Sequence, residues 1–355
     1  MKPPHPRVVL VLQGGGALGA YQWGVYEALH ESGVEPAWVI GTSIGAINAA
    51  LITANARHER LPRLEAFWQR VAQPAAWGLW PGLGRWAAVA QGSPAFFRPH
   101  PAAWRGVHAQ LGVDEAGWYT TAPLRDTLNE LTDFPRLHTP GAPRLTVGAV
   151  GVTTGAMRYF DSRDGTLGID HVMASGALPP AFPAVTIDGE AYWDGGLYSN
   201  TPIEAVLDEA PRRDSLIFAV NVWHAKGPAP DSLWQVMGRQ KDIQYASRAD
   251  SHIARQRQIH RLRHVIRDLA QEAAKAGRVS PRVKELASWG CSTTMHVAHL
   301  DAPALDDEDH TKDIDFSAAG IAARRHAGRR DTLDLLARAP WQAPCDPLEG
   351  VVEHW

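Results

Sequence analysis

The stretch Trp38-Val39-Ile40-Gly41-Thr42-Ser43-Ile44-Gly45-Ala46 decides the fold class of this chain. Its first three residues predict the end of a buried strand, and the residues that follow Ser43 predict an alanine-rich helix. The pentapeptide at 41–45 has the pattern G-x-S-x-G, which is typical of a nucleophile elbow between a strand and a helix. Side chains at Gly41 and Gly45 would collide across such a sharp turn. We therefore predict Ser43 as a nucleophile at a helix N-terminus; an ordinary turn entering a helix is the alternative.

A second glycine-rich loop follows the first predicted strand, at residues 8–12. It reads Gln13-Gly14-Gly15-Gly16-Ala17-Leu18-Gly19 and leads into a helix predicted for residues 20–32. Three of its glycines also match G-x-G-x-x-G, a dinucleotide-binding pattern. However, the acidic residue near the required offset, Glu35, precedes the second strand instead of following it. Successive glycines let backbone N–H groups approach a carbonyl oxygen, so an oxyanion hole beside Ser43 is the favoured interpretation.

Composition and charge describe a globular chain. Its 355 residues are 45% apolar and 21% charged, enough for one large α/β domain or two smaller ones. The net charge of -3 gives no general attraction for nucleic acid, which is therefore not an expected partner. Cys291 and Cys345 form neither a disulfide framework nor a zinc pattern, and no metal or cofactor is expected. Without a signal peptide or an apolar run of about 18 residues, we expect a cytoplasmic protein.

The segment at residues 57–120 is rich in tryptophan and lacks a regular period, which predicts short helices and loops inserted after the elbow helix. The tryptophans are Trp68, Trp77, Trp80, Trp86, Trp104 and Trp118. Two interpretations stay open. The segment is either an aromatic satellite core, or it is a wall or lid over a long apolar substrate or an interfacial face with exposed tryptophans.

The part of the chain beyond residue 120 contains a second candidate catalytic group. The pattern predicts a helix at 121–131, antiparallel strands at 145–152 and 157–160, a helix at 171–178 and a hairpin turning at Asp188-Gly189. This hairpin ends in Asp194-Gly195-Gly196, where two glycines would let the Asp194 carboxylate lie close against other backbone. A surface Asx turn is the alternative, and the two glycine motifs upstream disfavour it.

Four segments in this order resemble the bacterial patatin-like phospholipases over residues 8–222. They are residues 14–19, 41–45, 174–183, and Asp194-Gly195-Gly196 with Asn200 and Pro202. The resemblance implies an α/β fold, a three-layer α/β/α sandwich with a mostly parallel sheet, and acyl-ester hydrolysis by a Ser–Asp dyad. It implies Ser43 as nucleophile and Asp194 as base. The implied oxyanion hole is formed by the amides of Gly14, Gly15, Gly16 and Ala17, and the supporting glycines are Gly19, Gly41, Gly45, Gly195 and Gly196. The family usually carries Arg or Lys where this chain has Leu18.

General chemistry allows such a dyad. A serine hydroxyl needs a neighbour to take its proton, and an aspartate of ordinary pKa near ~3.9 becomes an adequate base only through burial and direct contact. A triad with a histidine is the alternative. His171 lies nearest to the aspartate segment, and we interpret it as a surface residue at a helix start.

The sequence pattern at residues 223–340 predicts a helical, basic extension packed on the hydrolase domain. A helical pattern at 231–276 places Ile259, Leu262, Ile266 and Leu269 on one apolar stripe. The same helix carries Arg248, Arg255, Arg257, Arg261, Arg263 and Arg267. A solvated face is the first interpretation of this arginine cluster, and contact with an anionic membrane is the second. The acidic segment at 306–317 resembles an extension found on some bacterial patatin-like proteins. A last helix is predicted at 320–338, followed by an unstructured tail.

Three functions follow from these features. The first is a serine acyl-ester hydrolase, a lipolytic esterase or phospholipase, acting on fatty acyl esters in lipid metabolism. The second is an acyltransferase that uses the same acyl-serine intermediate. The third is a dinucleotide-binding protein, which would leave Ser43 and Asp194 without roles. The expected partners are a lipid or small acyl-ester substrate and, in peripheral contact, an anionic membrane.

Overall fold

The computed structural model describes residues 6–73, 93, 95–246, 249–305 and 308–355. Its strands are β1 (Arg7–Leu12), β2 (Trp38–Gly41), β3 (Arg98–Pro99), β4 (Tyr119–Thr120), β5 (Arg144–Gly151), β6 (Met157–Asp161), β7 (Val185–Ile187), β8 (Glu190–Asp194), β9 (Ser215–Asn221), β10 (Met295–Asp301) and β11 (Val351–His354). Its α-helices are α1 (Ala20–Glu31), α2 (Ile44–Thr53), α3 (Arg60–Val71), α4 (Ala122–Leu131), α5 (Ile169–Ser175), α6 (Glu204–Leu207), α7 (Leu233–Ala246), α8 (Ala249–Lys275), α9 (Pro281–Ala287) and α10 (Ala318–Arg338).

Nine of the described strands form one sheet, in the order β11-β10-β9-β1-β2-β5-β8-β7, and β6 also pairs with β5. From β11 to β5 every neighbouring pair is parallel. The pairs β5–β6, β5–β8 and β7–β8 are antiparallel. The sequence prediction of an α/β fold with a mostly parallel sheet is confirmed.

Alternating side chains of the central strands divide the core into two layers. In β1, Leu10 and Leu12 pack with α1, α2 and α10 on one face of the sheet. Val9 and Val11 face the other way, into a smaller cluster with residues of α6 and α8. Because both faces are covered, the strands read as continuous apolar runs in the sequence. The three-layer arrangement follows from this two-sided burial.

The C-terminal region completes the sheet. β10 continues the sheet beyond β9, and β11 pairs in parallel with β10. The sheet therefore runs across the predicted domain boundary at residue 222. The prediction of an unstructured tail was wrong, because Val351 is fully buried against the neighbouring strand. Its four-residue signal is hidden in a proline-rich context.

The long helix α8 buries a different face from the predicted one. Leu262 and Leu269 of the predicted stripe are 58% and 65% exposed. The buried positions are Ile253, Gln256, His260 and His264. The ring nitrogens of His264 lie 2.8 and 3.0 Å from the carbonyl oxygens of Pro347 and Thr293. Polar anchoring to these chain segments, which periodicity does not reveal, sets the orientation of the helix.

The tryptophan-rich segment is only partly described. Residues 74–92 and 94, with Trp77, Trp80 and Trp86, lie outside the described residues. Trp68 is fully buried, whereas Trp104 and Trp118 are exposed. The amide of Trp118 donates to the Pro180 carbonyl, close in sequence to the edge strand β7. The arginine-bearing helix α8 packs on β11, at the other edge of the sheet.

No helix in the described parts of the chain combines the length and the apolar character that crossing a membrane requires.

Helices α1 and α10 cross in backbone contact, which generates a test of the fold. A Cβ atom on Gly24 would overlap the Arg325 carbonyl oxygen, and one on Gly328 would overlap the Tyr21 carbonyl oxygen. We expect Gly24→Ala to lower the free energy of unfolding by about 2 kcal/mol. The overpacking cost of about 1–3 kcal/mol, with rigid backbone as the obstacle, outweighs the roughly 1 kcal/mol gain in helix propensity.

Denaturant unfolding measures this difference, and Gly328→Ala should behave alike. Gly165→Ala is the matched control, because nothing lies within 4 Å of a Cβ built at Gly165. A Gly24→Ala protein as stable as the parent would show that the crossing is not close-packed.

Candidate active site

Ser43 sits on the predicted elbow, between β2 and α2. Its backbone has φ 56° and ψ -125°, a left-handed conformation that costs a non-glycine residue on the order of 1–3 kcal/mol. A Cβ on Gly41 would overlap the Gly45 carbonyl, and a Cβ on Gly45 would overlap the Leu12 carbonyl of β1. Both motif glycines are therefore required by the turn. Ser43 is partly exposed, at the N-terminus of a helix whose residues are all buried.

Hydrogen bonds to Ser175 hold the strained turn at Ser43 in place. The Ser43 amide donates to the carbonyl oxygen of Ser175 at 3.1 Å and to its Oγ at 3.0 Å. The Ser175 hydroxyl in turn donates to the Gly148 carbonyl of β5 at 2.7 Å. The segment at 174–183 thus fixes Ser43 from the side of α5. Because its amide is occupied, Ser43 does not offer that amide to a substrate oxygen.

The glycine loop runs beside Ser43, as predicted. A Cβ on Gly14 would come within 3.0 Å of the Ser43 Cβ. The Gly14 amide already donates to the Asn200 carbonyl at 3.1 Å. The amides of Gly15 and Gly16 make no hydrogen bond to any described part of the chain, and both residues line the cavity next to Ser43.

Two of the four predicted oxyanion donors are therefore placed unfavourably. Gly14 has its amide engaged, and Ala17 is fully buried outside the cavity lining. Leu18, where the family usually has a basic residue, is 4% exposed and packs in the core. Gly19 packs on Ile44, where a Cβ would come within 2.6 Å of its Cγ1. This glycine brings α1 close to the elbow helix.

Asp194 ends β8 with its side chain sealed from water. It is 1% exposed, and its Oδ1 accepts a hydrogen bond from the Gly196 amide at 2.7 Å. Burial raises its pKa to about 7, while hydrogen bonds from the Gly196 amide and the Ser43 side chain act in the opposite direction. The sequence allowed either close approach of Asp194 to other backbone or a surface Asx turn, and the structure combines features of both. Asp194 does form an Asx-type turn, but a buried one that lines the same cavity as Ser43.

Glycines let the aspartate approach the elbow. A Cβ on Gly195 would lie 2.5 Å from the Gly148 carbonyl oxygen, and one on Gly196 would lie 2.8 Å from the Asn200 Oδ1. Both glycines were predicted as support for close approach, and this geometry agrees. The two motifs, 150 positions apart in the chain, meet at the carboxyl ends of the central strands.

His171 takes a structural position. Its Nδ1 accepts from the Gly168 amide at 3.1 Å at the start of α5, and its ring packs edge-on against Phe160 at 4.6 Å. The predicted position at a helix start is confirmed, but the residue is half-buried and does not lie on the surface as predicted. Among the described residues that line the cavity there is no histidine. Glu35, the acidic residue weighed for a dinucleotide site, forms ion pairs with Arg57 and Arg60 instead.

A cavity of about 220 Å³ opens over Ser43 and Asp194. One side is aromatic, where Phe96, Phe97 and Phe182 pack as neighbouring rings. Tyr119 and Phe316 join this aromatic wall. The other side carries Asn200, Trp223 and Tyr245 beside the glycine loop.

Sequence reasoning missed the contribution of the C-terminal extension to the site. Tyr245, Asp313, Ile314 and Phe316 all line the cavity, and they come from beyond residue 222. The Asp313 carbonyl packs so closely on Gly16 that a Cβ there would overlap it. No local pattern marks these residues, because their role depends on contacts between positions more than 200 apart in the chain.

Gln13, directly before the glycine loop, was also missed. Its Nε2 donates to Thr201 Oγ1 at 2.7 Å, and its Oε1 accepts from the amides of Val222 and Trp223 at 2.5 and 3.0 Å. It is 1% exposed. A polar residue at the end of an apolar strand was the available signal.

Comparison with known families agrees with this geometry. Residues 10–207, more than half of the chain, match the family model described as patatin-like phospholipase. The chain belongs to the patatin-like phospholipase family. Residues 243–348 match a second model, described as patatin phospholipase, which covers the extension. Membership places the protein among lipolytic hydrolases. No curated protein matches the chain.

Two solved structures align with this chain. VipD from Legionella pneumophila shares 13% sequence identity with a TM-score of 0.39, over 95% of this chain and 67% of its own. A chain of the complex of SpcU with ExoU from Pseudomonas aeruginosa shares 17% identity with a TM-score of 0.27, over 72% of this chain and 53% of its own. Both TM-scores are below 0.5, and the family assignment rests on the sequence matches.

The buried Asp194 carboxylate predicts an unusual stability profile. Its folded pKa of about 7 exceeds the ordinary 3.8, so the folded protein binds this proton more tightly than the unfolded chain. Ionising Asp194 therefore costs stability above pH 7, and the cost disappears as the pH falls towards 4. We expect Asp194→Asn to raise the free energy of unfolding at pH 8 by about 1–4 kcal/mol.

Denaturant unfolding at pH 8 and pH 4.5 tests this, and the difference between variant and parent should shrink at the lower pH. Asp231→Asn, at an exposed position, should show no such pH-dependent gain. An Asp194→Asn protein that is less stable than the parent at pH 8 would contradict a destabilising charge at this site.

Proposed function

We propose that this protein is a serine acyl-ester hydrolase that uses Ser43 as nucleophile and Asp194 as base, without a histidine. The observation that carries the proposal is that Ser43 and Asp194 line one cavity, where burial raises the pKa of the Asp194 carboxyl to about 7. A base with a pKa near the working pH can take the serine proton at neutral pH. The nearest competing base from sequence, His171, serves the start of α5 instead.

The reaction proceeds in two steps in this proposal. Asp194 takes the proton of the Ser43 hydroxyl as its Oγ attacks the ester carbonyl carbon, and the alcohol leaves with that proton. Water then attacks the acyl-serine, with Asp194 again as base, and the carboxylic acid is released. The negative charge on the carbonyl oxygen is stabilised by the amides of Gly15 and Gly16, whose hydrogens are unused by the described chain.

The aromatic side of the cavity supports a fatty acyl substrate. Phe96, Phe97 and Phe182 with Ile47 and Leu124 line it. An acyl chain that leaves water for this wall is stabilised in proportion to its buried area, by about 25 cal/mol per Å². The substrate class is therefore fatty acyl esters, including phospholipids, in lipid metabolism.

Substitution of the dyad tests the mechanism. We expect Ser43→Ala to abolish hydrolysis of a short p-nitrophenyl ester, because the acyl-serine cannot form. Asp194→Asn should lower kcat by on the order of 10³-fold or more, since the amide is no base. Initial rates with purified, folded variants measure both effects, and far-UV circular dichroism checks the fold.

Single substitution of each histidine is the control, and none should approach the effect of Asp194→Asn. If a folded histidine variant lost as much kcat as Asp194→Asn, the mechanism would be a triad that includes that histidine. Ser43→Ala activity within tenfold of the parent would overturn the assignment of the nucleophile. Labelling by a fluorophosphonate, present in the parent and absent in Ser43→Ala, gives an independent readout.

Peripheral contact with an anionic membrane stays a prediction. Exposed arginines of α8, among them Arg255, Arg261 and Arg267, support it, because each is worth up to about 1 kcal/mol near an anionic surface. The exposed Trp104 and Trp118 offer a separate aromatic contact, and the Trp118 amide donates to the Pro180 carbonyl, outside α8. The two groups are therefore proposed as independent contacts.

Co-sedimentation with vesicles distinguishes them. We expect binding to anionic vesicles at low salt, weakened by high salt and by Arg261→Ala with Arg267→Ala. Trp104→Ala with Trp118→Ala is the matched pair for the aromatic contact, and it should weaken binding without changing the salt dependence. Equal partitioning to neutral and anionic vesicles, or none to either, would remove the membrane proposal.

A further inference from the structure

The geometry points to Tyr245 as a further catalytic residue, whose hydroxyl donates a hydrogen bond to the alcohol oxygen of the bound ester. This oxygen leaves with the alcohol when the acyl-serine forms. The inference rests on the proposed hydrolase function. It assigns contact with the leaving alcohol to the side of the cavity opposite the acyl chain. It also gives the C-terminal extension a direct part in the reaction.

The main chain of Tyr245 is fixed to the catalytic loops. Its carbonyl oxygen accepts a hydrogen bond from Gln13 Nε2 at 3.2 Å and another from Asn200 Nδ2 at 3.2 Å. Asn200 Nδ2 also donates to the Gly14 carbonyl at 3.0 Å. The end of α7 is therefore held against both the glycine loop and the segment that follows Asp194. A residue fixed in this way keeps its side chain in register with Ser43.

The ring of Tyr245 is packed as well. It lies against the Trp223 ring, with the centroids 5.1 Å apart. Trp223 is fixed in turn, because its indole N–H donates to the Gly14 carbonyl at 2.8 Å. Tyr245 and Trp223 therefore line the cavity as a packed aromatic pair beside the glycine loop. The acyl-binding rings Phe96, Phe97 and Phe182 form a separate cluster.

The electrostatic surroundings keep the phenol in its donor form. Burial raises the pKa of Tyr245 to about 12, and the negative charges of Asp194 and Asp313 act in the same direction. Asp313 is itself paired with Lys241, whose Nζ lies 2.8 Å from its Oδ1. A protonated phenol beside the catalytic carboxylate can donate to an oxygen on which negative charge develops, but it does not give up its proton.

The chemistry assigns that oxygen. When the acyl carbon–oxygen bond breaks, its electron pair stays on the alcohol oxygen, and this oxygen receives the proton that Asp194 took from Ser43. The carbonyl oxygen is served by the glycine loop and the acyl chain by the aromatic wall. The remaining oxygen of the ester lies towards Asp194 and Tyr245. A hydrogen bond there stabilises the alkoxide before the proton arrives.

A comparison of two leaving groups distinguishes a catalytic role of Tyr245 from a purely structural one. Alkoxides of high basicity need the hydrogen bond, whereas p-nitrophenolate leaves without help. With one acyl chain in both substrates, we expect Tyr245→Phe to lower kcat for an ethyl ester by about 10- to 100-fold, the range for a hydrogen bond to a charged oxygen. For the p-nitrophenyl ester, kcat should stay within about threefold of the parent, for the same reason.

Tyr119→Phe is the matched control, because it removes a second phenol among the described residues of the cavity, whose ring packs with Phe97 and Phe182. It is expected to keep the parental ratio between the two esters. An equal loss of both activities in Tyr245→Phe, or an unchanged ratio, would overturn the assignment. Retained p-nitrophenyl hydrolysis in that variant would leave the serine hydrolase proposal standing. Absence of hydrolysis in the parent would remove both.

Discussion

Direct contact between backbone segments at the carboxyl ends of the central strands is the constraint on which the site depends. At the elbow, Gly41 meets the Gly45 carbonyl, and Gly45 meets the end of β1. Gly195 meets the Gly148 carbonyl in the same layer. A methyl group at any of these points would push two main-chain segments apart by more than the tolerance of a hydrogen bond. The glycines therefore fix the relative positions of Ser43 and Asp194.

A buried polar network holds these segments together once they touch. Gln13 joins β1 to the loop after Asp194 and to the start of the extension through its side-chain amide. Its carbonyl accepts from Gln22, which in turn accepts from Asn48 in α2. Because buried amides without partners cost about 1–3 kcal/mol each, all of these elements must be in place together. The network makes the loop geometry depend on the whole domain.

Sequence and structure agree wherever the signal is local. The strands β1, β2 and β5, the elbow, the hairpin at Asp188-Gly189 and the buried Asp194 each carry a pattern within a few residues. Disagreement begins where the determining contact is distant. The orientation of α8, the edge strand β11 and the engaged amide of Gly14 are each set by partners far along the chain. Hydrophobic periodicity does not record such partners, and no local pattern therefore indicates that Tyr245 lines the cavity.

The extension also bears on the strength of the base. A carboxylate open to water keeps a pKa near 3.8 and holds a serine proton poorly, whereas burial brings Asp194 to about 7. The cavity over it is lined on one side by Trp223, Tyr245 and Asp313, which all come from beyond the hydrolase segment at 8–222. Their side chains form part of the wall of that cavity, and Lys241 pairs with the negative charge of Asp313. The same burial that makes ionised Asp194 costly for the fold suits this residue to the proposed role of base. That burial depends in part on residues added to the chain after the catalytic motifs.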